Sequence, residues 1–140
     1  MSPLPFPADR KVQSAIDRLM RAETPFAVAT VIRTLDATAA KPGARALLDE
    51  TGALVEGWIG GGCARGAVAR ATRHAIETGQ PQLISLQPEE LLSASGVAPG
   101  EEREGIRFAR NGCPSKGSMD IFVEPVIPRP RLAICGASPV

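Results

Sequence analysis

Tyrosine is absent from this chain, tryptophan occurs once and phenylalanine four times. So little aromatic surface argues against the stacking platforms on which single-stranded nucleic acids are held. Cysteine occurs three times, as Cys63, Cys113 and Cys135. An odd count at wide spacing fits neither a disulfide framework nor a CxxC zinc site, so the thiols are expected to be free. The single histidine, His74, has no carboxylate pattern near it and reads as a surface or half-buried structural residue. No apolar run approaches the roughly 20 residues of a membrane span. The proline-rich opening MSPLPFPADR also lacks the apolar centre of a secretion signal. An excess of one charge is missing too: sixteen Lys and Arg stand against fifteen Asp and Glu, interspersed rather than gathered into a stripe. These absences predict a cytoplasmic protein with no membrane span and no nucleic-acid partner.

The residues that are present suit a single domain, because 140 residues can bury roughly two thirds of their unfolded surface. Val12, Ala15, Ile16, Leu19 and Met20 recur at helical spacing behind Asp9, a candidate N-cap. FAVATVI, residues 26–32, is a nearly unbroken, β-branched-rich run that suits a strand covered on both faces, at the sheet centre. Two strand-like runs around Asp49 to Gly52 predict a hairpin. Beyond it, Ala64, Ala67, Val68, Ala71 and Ala75 share one helical face, Gly79 marks the helix stop, and PQLISL is the next strand. Residues 53–85 thus read as a strand-helix-strand crossover. A short helix is expected at residues 88–92, then a Gly- and charge-rich surface loop. IRFAR and MDIFVEPV come after it as strands, with Glu124 as an edge-strand carboxylate. Pro128 and Pro130 make a stiff linker before the apolar RLAICGASPV, in which Cys135 reads as a core residue. The fold class predicted is α+β: a mixed β-sheet with packed helices.

The stretch GWIGGGCARGAV holds the strongest hint of chemistry. Gly60, Gly61 and Gly62 deliver Cys63 to the start of a helix, where unpaired N–H groups and a partial positive charge attract anions. Sulfur at that place suits nucleophilic or soft-metal chemistry. A tight strand-to-helix turn with a small buried cysteine is the plainer account, and the pattern alone leaves both open. The loop NGCPSKGS repeats the ingredients: Cys113 between Gly112 and Gly117, Ser115 as a hydrogen-bonding group, Lys116 as a point charge for phosphate. It is not a Walker A loop, since glycine follows Lys116. Arg45, after PG at the mouth of a strand, is a further phosphate candidate. Trp58 reads as a core or interface residue.

Taken together, ATVIRT, PGARALL, GWIGGGCARGAV, CPSKGSMDIFVEPV and LAICGASPV resemble the N-terminal domain of the XdhC/CoxI family. Its members are accessory factors of molybdenum enzymes of the xanthine dehydrogenase and carbon monoxide dehydrogenase type. The resemblance runs from about Phe26 to the last residue. It implies a domain over residues 1–127 and, over residues 128–140, a linker and the first strand of a Rossmann unit that the chain does not complete. It also implies an accessory protein, more a carrier than an enzyme, that transiently binds the molybdenum cofactor (molybdopterin), protects it and delivers it for sulfuration and insertion. The implied partners are a molybdenum hydroxylase apoenzyme, a cysteine desulfurase and a second copy of the chain. Carried over by residue, Gly60, Gly61, Gly62 and Cys63 form one wall of the cofactor site. Cys113, Ser115, Lys116 and Gly117 form the other, Arg45 is a weaker addition, and Cys63 and Cys113 are the candidate metal ligands. Two departures from the family pattern are LDATAAKPGAR, where relatives often carry a Gly-Ser-x-Pro-Arg type stretch, and Lys116, where a glycine is common. Two other readings of the same residues are a thiol-dependent enzyme, in which Cys63 attacks and Cys113 resolves, and a structural dimerisation domain.

Overall fold

The apolar runs become strands and the alanine-faced segment becomes the helix that covers them. The structure, a computed structural model, describes residues 7–36, 38, 40–112, 117–129 and 134–136; the side chains of residues 7–9 lie outside that description. Helix α1, Pro7–Arg21, opens on a proline, which is favoured at the first helical position. Asp9, expected as the cap, therefore falls inside the first turn. Val12, Ala15 and Ile16 are buried on the helix face that meets the hairpin around Asp49 to Gly52.

Strand β1, Phe26–Leu35, is longer than its apolar run, with a bulge between Val31 and Arg33 that leaves Ile32 exposed. Its residues alternate between two cores, which is why the sequence shows no polar face. Ala27, Ala29 and Val31 enter the larger core, while Phe26 and Val28 join the α1 residues in the smaller one. Strands β2, Arg45–Asp49, and β3, Leu54–Gly57, form the expected hairpin. Helix α2, Gly62–Thr78, ends at Gly79 in the left-handed conformation, as predicted. Strand β4, Gln82–Gln87, helix α3, Glu89–Ala94, and strands β5, Glu102–Arg103, β6, Ile106–Arg110, and β7, Ser118–Val126, complete the order.

The sheet runs β3-β2-β1-β7-β4-β6-β5. Only the β4–β6 pairing is parallel among these described ladders, so the fold is α+β with a mixed sheet. Counted through the antiparallel neighbours, β3 and β4 point the same way. The predicted crossover therefore exists, but α2 carries the chain over three intervening strands, packing on β1, β7 and β4. Its buried face is Ala64, Ala67, Val68, Ala71, Thr72 and Ala75, and these small side chains let it lie close to the sheet.

Three expectations are corrected. Glu124 lies opposite Val28 on β7, an interior strand rather than an edge. The stretch expected as a surface loop after α3 folds back as β5 against β6, with the Arg103 guanidinium donating to the Gly96 carbonyl at 2.7 Å. Cys135 is exposed and outside any strand, because no described element covers it. The remainder of the expected Rossmann strand lies outside the described residues.

Candidate functional site

The turn before α2 is fixed by two glycines for different reasons. At Gly57 (φ +85°) a Cβ would run into the carbonyl oxygen of Arg45, so the chain can hug β2 only without a side chain. That same carbonyl accepts the Trp58 N–H at 3.0 Å. Ile59 then plugs into the larger core, and Gly60 (φ +124°) reverses the path between Ala64 and Met119. Trp58, expected in a core or interface, is 51% exposed and so is not a core residue.

Helix α2 has an open start. Gly61 is the N-cap in an extended conformation, with no side-chain cap and no acidic residue in the first turn. The first helical bond runs from the Arg65 N–H to the Gly61 carbonyl at 3.0 Å, so the N–H groups of Gly62, Cys63 and Ala64 precede the ladder. A Cβ at Gly61 or Gly62 would meet nothing within 4 Å. The helix dipole adds a partial positive charge to these donors. Cys63, a free thiol, is half-buried at this end.

Gly112, which precedes the second cysteine motif, lies near the same place. The Cys63 Sγ lies 3.6 Å from where a Cβ of Gly112 would stand. Gly112 comes directly after Asn111, a residue that sequence reasoning passed over and that pins the loop. Its backbone N–H donates to the Gln87 carbonyl at 2.7 Å, and its side-chain Nδ2 donates to the Gly117 carbonyl, also at 2.7 Å. The legible signal was an Asn-Gly pair at the end of a strand. The loop thus leaves from the carboxyl ends of the parallel strands β4 and β6, where open α/β sheets gather ligands. Cys113, Ser115 and Lys116 lie outside the described residues, and Gly117 is buried. Arg45 is not brought in: it pairs with Thr30 and alternates with the core residue Ala46, which sends its side chain to the sheet face opposite α2.

That opposite face carries a polar network that the sequence did not suggest. Arg33 donates to Asp120 at 3.0 Å, Ser85 donates to Asp120 at 2.7 Å, and Gln87 donates to Ser85 at 2.8 Å. No group of three or more His, Cys, Asp or Glu residues among those described is placed to hold a metal. No helix among the described residues is long and apolar enough to cross a membrane.

The model of the XdhC and CoxI family matches residues 19–87, the stretch that holds the β2–β3 hairpin, the glycine turn, Cys63 and all of α2. Over that stretch, just under half of its length, the chain is similar to the XdhC and CoxI family, as its motifs lead one to expect. In structure the chain is similar to a protein described as a xanthine dehydrogenase from Bacillus halodurans, with a TM-score of 0.53 and 23% identity over 80% of this chain. The likeness shows a shared fold, and the chain covers 29% of that protein's length. None of the curated proteins matches the chain.

Proposed function

We propose that this chain is an accessory factor of molybdenum hydroxylases that holds the molybdenum cofactor at the glycine-cysteine turn, protects it, and hands it on for sulfuration and insertion. The observation that carries this reading is the Cys63 sulfur at an uncapped helix start, 3.6 Å from where a Cβ of Gly112 would stand.

The residues suit the group chemically. A phosphate asks for main-chain N–H donors and cations, and a dithiolene-held metal accepts a thiolate. Gly61 and Gly62 leave the donors open to approach, no first-turn carboxylate repels an anion, and Cys63 offers the sulfur. In this reading Cys113, Ser115, Lys116 and Gly117 supply the other contacts to the group. When bound, the cofactor brings a redox-active metal centre; the chain's own part is to bind the phosphate, orient the ligand and keep water from it. A molybdenum hydroxylase apoenzyme receives the cofactor, and a cysteine desulfurase is the source of sulfur.

The test is anaerobic incubation with molybdenum cofactor, gel filtration, and oxidative fluorescence assay of pterin in the protein peak. Wild type is expected to carry near-stoichiometric pterin. Cys63→Ser is expected to weaken retention roughly tenfold or more, about 1.4 kcal/mol in binding, with Cys113→Ser falling in the same direction. Background pterin in wild type, or equal loading in Cys63→Ser, would overturn the reading.

A further inference from the structure

Helix α2 covers only part of its side of the sheet. It packs on β1, β7 and β4, while β6 lies one strand further out. Between α2 and β6 the structure leaves a cavity of about 790 Å³, a volume within the range that holds cofactor-sized ligands. Its floor is Ala67 and Ala71 of the helix with Ile84 and Ala109 of the strands. Small, flat apolar side chains of this kind make a slot for a planar body. Arg70, His74 and Arg107 stand at its rim, and none of the lining residues is acidic.

The arginines differ in commitment. Arg107 is tied to Glu102 at 3.0 Å in a pair exposed on both sides, and such pairs exchange readily. Arg70 has no hydrogen-bond or ion-pair partner among the described residues. Its guanidinium folds back over Gly66, with Nη1 at 3.6 Å from where a Gly66 Cβ would stand. Cys63, Gly66, Ala67, Arg70 and His74 succeed one another along one side of the helix, so they form one stripe along α2. The Arg70 guanidinium, lying beside Gly66, is therefore about one helical turn, roughly 5 Å, along the axis from Cys63. On the other bank β6 runs on through Asn111 to Gly112, where a Cβ would stand 3.6 Å from the Cys63 sulfur. The cavity thus makes a groove between α2 and β6 on the side of the helix that leads toward Cys63.

We propose that this groove binds a phosphate-bearing planar heterocycle. Arg70 takes the phosphate, with Arg107 assisting, and the alanine floor lies under the ring. This rests on the cofactor reading and revises one contact of it: the phosphate goes to Arg70, a residue that the glycine-cysteine motifs do not contain, rather than to the N–H groups that start α2, and those groups and Cys63 are left for the metal end.

The probe is the oxidised, metal-free, fluorescent phosphopterin prepared from molybdenum cofactor, which carries no dithiolene for Cys63 to meet. Its binding is measured by fluorescence anisotropy against the phosphatase-treated pterin and inorganic phosphate, with thermal unfolding of each variant as a check on folding. The phosphopterin is expected to bind wild type and to lose at least tenfold in affinity in Arg70→Ala. Removing the phosphate is expected to cost as much. No binding to wild type, equal binding after dephosphorylation, inorganic phosphate binding as tightly as the phosphopterin, or an Arg70→Ala protein that folds and binds like wild type would overturn the proposal. The two readings separate cleanly. Loss of Cys63-dependent cofactor loading with phosphopterin binding intact removes the cysteine site and leaves the groove; the reverse result removes the groove.

Discussion

Asp49 shows how one side chain closes an element. Its Oδ1 accepts from the Thr51 N–H at 2.9 Å, the Thr51 hydroxyl at 2.6 Å and the Ala53 N–H at 3.0 Å, locking the turn of the β2–β3 hairpin. The Thr51 hydroxyl bond holds its carboxyl below the ordinary aspartate value of 3.8; burial opposes this, and backbone N–H bonds from Ala53, Thr51 and Gly52 add to it. A carboxylate with a lowered folded value stabilises the fold fully above its unfolded value and loses that contribution as pH falls through the folded one. Asp49→Ala should therefore cost about 1 kcal/mol near neutral pH. The gap from wild type should close below pH 3.8, read from urea unfolding of both proteins across pH. A gap that does not change with pH would mean that the charge is not what holds the turn. The turn itself was legible from DETG; the threefold acceptance by one oxygen was not, because it depends on how the backbone wraps around the side chain.

At the scale of an element, α2 combines a packed face with a stripe kept open. Ala64, Ala67, Val68, Ala71 and Ala75 were read correctly as one buried face, since a period of 3.6 residues is visible in the sequence. Gly66 went unnoticed. Glycine inside a helix costs about 1 kcal/mol relative to alanine, and a Cβ here would make ordinary contact with Arg70 at 3.6 Å. Gly66→Ala is thus expected to raise stability by about 0.5–1 kcal/mol without displacing Arg70, measured as a higher urea midpoint with an unchanged slope. A lower midpoint would show that Gly66 serves a tighter packing than its surroundings display. The strands divide in the same way between local and distant causes. FAVATVI announces a strand buried on both faces, while the bulge that turns Ile32 outward arises from pairing with β7, far along the chain.

For the molecule as a whole, Trp58 is a built-in reporter. It is the only tryptophan, it stands just before Gly60, and it is half-exposed. Acrylamide should quench its emission efficiently in the free protein and less once cofactor is loaded, with Cys63→Ser showing little change between the two conditions. Unchanged quenching on loading of wild type would place the ligand away from the turn. Much of this protein was determined by sequence alone: the α1 and α2 periodicities, the covered strand, the hairpin, and the glycines that make Cys63 a helix-start residue. These are local matters, set by spacing and by the backbone angles that single residues permit. That Gly112 comes near Cys63, which sheet face receives Arg45, and that no helix among the described residues lies over β6 were decided only by strand order. Strand order comes from long-range pairing energies, and no short stretch of residues encodes it.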